Sequence, residues 1–271
     1  IPNFKSKRKV IHVEAKSNLN GTTINFPQPF KKIKDINSMI FVSASYIDKE
    51  FNNIIISYNS ILAEIKSLKS LNGYINFSGV KSAIPDNGID VLGKIVKFNI
   101  NNFLPLDDNS NSTDYLRYIN QINVDFGELT FKDKIFKNLS INGFNSKKYF
   151  IFNNITVDSK EVNIRADGKV EFDNISSFDI KLDSSNVENL LNYWSFGHSL
   201  RESSVSSNFN INWQGHLFNF ELNKVYGKFT VNMVDGRLKK VGNRASRIFG
   251  LFNIDLLSKR LSLDFDDVTK N

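Results

Sequence analysis

Cysteine is absent from all 271 residues. Disulfides, thiolate nucleophiles and cysteine-ligated metal sites are excluded with it. No apolar run approaches the ~20 residues that a helix needs to span a bilayer, and no secretory leader is recognisable. Only three histidines occur, His12, His198 and His216, far apart and without metal-ligand spacing. The acidic group Asp264, Asp266 and Asp267 lacks the rest of a calcium loop and reads as a solvated strand end. There is no nucleophile elbow, phosphate loop or dinucleotide fingerprint. No catalytic residue, metal or cofactor is therefore assigned. The chain opens on Ile1 and closes on Asn271, soon after a strand-like stretch, and reads as a piece of a longer or processed protein.

Net charge is +7, with the basic residues scattered apart from small clusters at 5–9 and 31–34. A solvated surface is the plainer reading. Attraction to anionic lipid headgroups is the sharper one, and no motif points to nucleic acid. Phenylalanine dominates the aromatics, with 24 Phe against 8 Tyr and 2 Trp. Phe brings a large apolar area and no polar handle. Where so many rings are hidden from water decides the function.

Period-two alternation runs through most of the chain. Thr22, Ile24 and Phe26 share one face, as do Ile54, Ile56 and Tyr58. Further sets are Val96, Phe98 and Ile100; Ile122, Val124 and Phe126; Val162 and Ile164; Val170 and Phe172; and Phe178, Ile180 and Leu182. Next come Phe209, Ile211 and Trp213; Phe218, Phe220 and Leu222; Phe229, Val231 and Met233; and Leu261, Leu263 and Phe265. The residues between them are mostly Asn, Asp, Lys, Glu and Ser. Strands of this kind have one wet and one dry face, as antiparallel sheets usually do.

Six dipeptides carry hairpin chemistry: Asn20-Gly21, Asn72-Gly73, Asn87-Gly88, Asn142-Gly143, Asp167-Gly168 and Asp235-Gly236. A three-residue turn over Ala166, Asp167 and Gly168 would set Ile164 opposite Val170 and keep both faces pure. Helical signals are few. Residues 187–194 follow a Ser184-Ser185-Asn186 cap region, and 244–252 follow Asn243. Residues 255–259 add a further turn, and 61–68 suit either a strand or a short amphipathic helix. The polar run 107–114 (DDNSNSTD) is a loop inside one architecture.

Three stretches resemble the AsmA-like family, in its YhdP branch. Residues 85–104 (PDNGIDVLGKIVKFNINNFL) are similar to the family's pair of glycine-led strands. Residues 162–194 and 206–236 follow its strand, short-helix and strand series, with Asn212-Trp213-Gln214-Gly215 at the Trp-x-Gly element. Residues 244–268 run from a basic, apolar helical segment into a last alternating strand. The resemblance covers about 85–268; residues 1–84 share only its style. On this basis 1–84 is the N-terminal part of a β-groove and 85–271 the AsmA-like C-terminal region, one continuous architecture.

The resemblance implies a mainly β fold, an elongated and curved antiparallel sheet bent into an apolar groove, with short helices notably near the C-terminus. Acyl chains of phospholipids would lie in the groove, between the inner and outer membranes of a bacterial envelope. The lining would be Val96, Phe98, Ile100, Val124, Phe126, Val162, Ile164, Val170, Phe172, Phe178, Ile180, Leu182, Phe209, Ile211, Trp213, Phe218, Phe220, Leu222, Phe229, Val231, Met233, Leu261, Leu263 and Phe265. Arg244 and Arg247 would meet lipid headgroups or a partner protein, although a solvated helix face is the plainer reading. The expected location is the periplasm, with the inner-membrane anchor and both membrane contacts outside this chain.

The residues alone leave two readings open. One-faced strands with few helices to cover them must meet another sheet or curl on themselves, or else hold an apolar ligand. A self-packed β core is the plain outcome and a lipid groove the other. A scaffold that docks an envelope protein through its edge strands or terminal helix is the rival function. A hydrolase with two close, buried carboxylates comes a distant third.

Overall fold

The computed structural model describes residues 10–103, 114–132, 134–172, 175–193, 200–201, 203–215, 217, 225–234 and 237–238. The fold is mainly β. Thirteen strands hydrogen-bond in the order β1-β2-β3-β4-β5-β6-β7-β8-β9-β10-β11-β13-β14, and the sheet does not close. The chain forms two compact units, divided at Phe150/Ile151.

Unit 1 contains β1 (Val10–Ser17), β2 (Ile40–Ile47), β3 (Glu50–Tyr58), β4 (Ile61–Ser67), β5 (Asn72–Asn76), β6 (Ile89–Asn99), β7 (Ile119–Phe131), β8 (Lys134–Ser146) and the start of β9 (Tyr149–Asp158). Of residues 61–68, Ile61–Ser67 settle as a strand and Leu68 falls in the following turn. Pairing with β3 and β5 on either side supplies backbone partners that a helix there would forfeit. A 3-10 turn, Ile100–Asn102, and one helical turn α1 (Asp114–Arg117) lie between β6 and β7.

The expectation of a purely antiparallel sheet needs correction. β5/β6 and β6/β7 pair in parallel. Parallel neighbours need a long crossover, and residues 77–88 and 100–118 supply the two. The first crossover buries the far side of β5: Tyr74 is fully buried and donates its hydroxyl to Glu64 at 3.0 Å. Burial, then the Glu64 hydrogen bond, raises the Tyr74 pKa above the usual 10.0. Beside it, Asp90 accepts from the Asn120 and Gln121 amides, each at 2.7 Å.

Three strands of unit 1 share an offset. Ile95, Phe126 and Leu139 pair across β6, β7 and β8, and so do Phe98, Leu129 and Phe136. Between these rows each strand spends two successive residues on the wet side: Val96-Lys97, Gly127-Glu128 and Lys137-Asn138. Asn138 has φ +49°. Because the three strands change face together, the dry side stays dry and the register is kept. Val96 is thus 79% exposed and turned away from Phe98, which meets Phe126 at 5.7 Å. The expectation that Val96 and Phe98 share a face fails for this reason. A Cβ on Gly127 would lie 2.7 Å from the Val96 carbonyl oxygen. Gly127→Val should therefore destabilise the protein by about 1–3 kcal/mol, read from its urea midpoint.

Unit 2 continues β9 and adds β10 (Asn163–Glu171), β11 (Ile175–Ser184), α2 (Val187–Tyr193), β13 (Ser204–Gln214) and β14 (Val225–Val234). A small two-stranded pair joins β12 (Leu200–Arg201) to β15 (Arg237–Leu238). The helix begins where its cap predicts. The Asn186 side chain accepts from the Asn189 N–H at 2.9 Å, and Val187 and Leu190 are buried.

The turn chemistry misleads at three glycines. Asn72-Gly73, Asn142-Gly143 and Asp167-Gly168 lie inside β5, β8 and β10. The three-residue turn at Ala166 to Gly168 does not form; Gly168 pairs with Phe178 and Ile164 with Leu182. Gly168 is needed for space, since a Cβ there would collide with the Phe178 ring and the Ser177 carbonyl oxygen. The true hairpins use side chains that tolerate or endure positive φ: Asp48 (φ 50°) with Lys49 (φ 69°), Asn59 (φ 50°), Lys132 (φ 53°) and Lys147 (φ 52°). Thr22, Ile24 and Phe26 fall in the loop between β1 and β2, which has a single bridge, Ile24 to Lys32.

Candidate functional site

Unit 2 carries the cleanest division of faces. Along β10, Asn163, Arg165, Asp167 and Lys169 are exposed, while Ile164, Ala166, Gly168 and Val170 turn to the other side. Register carries this division across the next strands. Ile164, Ala166, Gly168 and Val170 stand opposite Leu182, Ile180, Phe178 and Ser176 of β11. Those stand opposite Ser207, Phe209, Ile211 and Trp213 of β13. Phe209 then faces Phe229, and Ser207 faces Val231, on β14.

Burial along this apolar face is graded. Val170 and Ser176 are fully buried, Trp213 is 4% exposed, and Phe178 stacks on Trp213 at 5.4 Å. Phe152 joins them, 5.8 Å from Phe178. This is a closed, packed floor. Ile164, Ala166, Ile180, Leu182, Phe209, Ile211 and Val231 are only half-buried. On β14 the face opens further, with Phe229 44% and Met233 37% exposed. Phe172 is buried near the floor, and Val162 is buried at the other end of β10.

The opposite face is polar. Arg165 pairs across from Lys181 and Asp167 from Asp179, and Asn210 donates to Asp179 at 2.6 Å. A shallow cavity of about 400 Å³ lies over it. Among the described residues no group of His, Asp and Glu is placed to hold a metal. The ion pair Lys181–Asp183 on this sheet is solvent-exposed and contributes little to stability.

Unit 1 has an apolar cluster of its own. Phe103 stacks on Phe98 at 5.0 Å and meets Phe26 and Phe30, both from the β1–β2 loop. The Tyr58 hydroxyl donates to the Phe30 carbonyl oxygen, tying that loop to β3. Phe126 and Val124 are buried beneath, and Ile100 is half-buried in the 3-10 turn. Phe26, Phe30 and Phe103 were not among the sequence-derived lining residues. Phe26 was read as part of an alternating strand, whereas it lies in a loop, and Phe30 and Phe103 belong to none of the alternating sets. Phe218, Phe220, Leu222, Leu261, Leu263, Phe265, Arg244 and Arg247 lie outside the described residues.

Among the described residues the protein is thus a mainly β protein: an unclosed sheet with one graded apolar face and one charged face in unit 2, and a single capped short helix of more than one turn. Residues 146–271 match the family described as YhdP protein. That stretch, which takes in all of the described part of unit 2, is similar to the C-terminal part of YhdP/AsmA-like proteins. Neither the curated proteins nor the solved structures gave a significant match to the chain. No helix among the described residues is long and apolar enough to cross a membrane.

Proposed function

We propose that this chain is a segment of a periplasmic, bridge-like lipid carrier, in which the apolar face of the sheet holds phospholipid acyl chains while headgroups stay in water. The observation that carries the reading is the graded face of unit 2. A sheet made only for stability would bury its apolar residues throughout, as it does at Val170 and Trp213. Here neighbouring rows of the same face hold half-open Ile180, Phe209 and Ile211 and exposed Phe229 and Met233. Acyl chains covering those side chains gain roughly 25 cal/mol for each Å² of apolar surface removed from water. The family match supports an AsmA-like envelope protein, and the carrier role is non-enzymatic. Both membranes would be met through parts of the parent protein beyond this segment.

Gentle extraction followed by mass spectrometry tests the reading. Phospholipid should co-purify in near-stoichiometric amount. Protein that is folded and free of lipid would overturn it and favour a scaffold role.

A further inference from the structure

Unit 1 contains an open cavity of about 580 Å³ that the apolar face alone does not explain. Phe26 forms its apolar wall, and Lys31, Lys97, Asn99 and Glu128 its polar side. The loop half of the wall is fixed. Lys32 is 3% exposed, and its ammonium donates to the carbonyl oxygens of Thr22 at 2.7 Å and Ile33 at 3.2 Å. Its backbone also bridges to Ile24. Lys31, the preceding residue, is therefore presented to solvent from an anchored backbone, with no ion pair among the described residues. Across the cavity the Lys97 ammonium lies 3.0 Å from Glu128, with the two side chains 69% and 37% exposed. A pair so open to water is weak, and Lys97 can turn to a stronger anion. Phe26, although in contact with Phe30 and Phe103, stays 55% exposed at the rim.

Two ammonium groups beside an open aromatic ring match one ligand chemistry: a phosphate attached to hydrocarbon. We propose that this cavity is a headgroup site for a phosphodiester lipid. The phosphate lies against Lys31 and Lys97, and the first acyl methylenes lie on Phe26. The proposal rests on the lipid-carrier reading and places a stopping point for the headgroup in unit 1.

Calorimetric titration of the intact chain with dihexanoyl phosphatidylglycerol, kept below its micelle concentration, tests it. Saturable binding is expected. Lys31→Glu and Phe26→Ser, both at exposed positions, should each weaken it about tenfold or more, a loss of roughly 1.4 kcal/mol. Glu128→Gln should strengthen it about two- to fivefold, because it frees Lys97 and removes a repelling carboxylate. Inorganic phosphate alone and octyl glucoside alone should bind far more weakly. Variants that titrate like the wild type would overturn the site, and so would phosphate or octyl glucoside binding as tightly as the lipid. The two readings fail separately. If the carrier reading fails, the wild-type protein carries no co-purified phospholipid. If only this site fails, phospholipid co-purifies and the variants bind the short-chain lipid unchanged.

Discussion

Replacing Trp213 by alanine should lower the unfolding free energy by about 3–5 kcal/mol. The indole is 4% exposed, stacks on Phe178 with the planes 14° apart, and lies opposite fully buried Ser176. Its removal leaves a cavity in the part of unit 2 where strands β10, β11 and β13 have the least room to relax. Phe229→Ala removes a ring of similar character from the same face, yet that ring is 44% exposed. It should cost less than about 1 kcal/mol. Urea denaturation followed by circular dichroism gives both values. Equal shifts for the two variants would mean that the floor and the open end of the face are not energetically distinct.

A carboxylate at Ile211 should cut the phospholipid carried by the protein by more than about tenfold. Ile211 is half-buried on β13, one alternation from Trp213, and faces Gly227 of β14. In water an aspartate there is tolerable. Under an acyl chain it must shed its hydration with no cation beside it on that face among the described residues, at a cost of about 2 kcal/mol or more. Asn208→Asp places the same charge on the exposed, polar side of the same strand and should leave lipid content unchanged. The ratio of phospholipid to protein by mass spectrometry separates the two. Full lipid content in folded Ile211→Asp protein would show that the acyl path does not run over β13.

The sequence was most legible where each strand keeps strict alternation. β11 and β13 could be read residue by residue, and Ile180 lies opposite Phe209 as alternation demands, whereas β10 was cut in two by a turn that does not form. Helix α2 was legible because its cap is local: Asn186 and Asn189 are three residues apart. Legibility failed where the deciding contact is distant. Gly168 reads as a turn residue until the Phe178 ring is seen to need its empty side. Val96 reads as a partner of Phe98 until β7 and β8 are seen to step at the same place. The parallel joins of β5 to β6 and β6 to β7 were hidden as well, because alternation sets the face of a strand and not its direction. In the candidate site, the apolar face on β11 to β14 was accessible to periodicity, whereas the placing of the Phe26 and Lys31 loop beside β6 was not.

The shared step at Val96, Gly127 and Asn138 ties three distant stretches of chain to a common length. Loss or gain of one residue in a single strand there would turn the rest of that strand inside out against neighbours that had not moved. Length changes at these places can persist only as a matched set of three. In descendants of this protein, gaps near 96, 127 and 138 should come and go together, while the hairpin loops beside them vary alone.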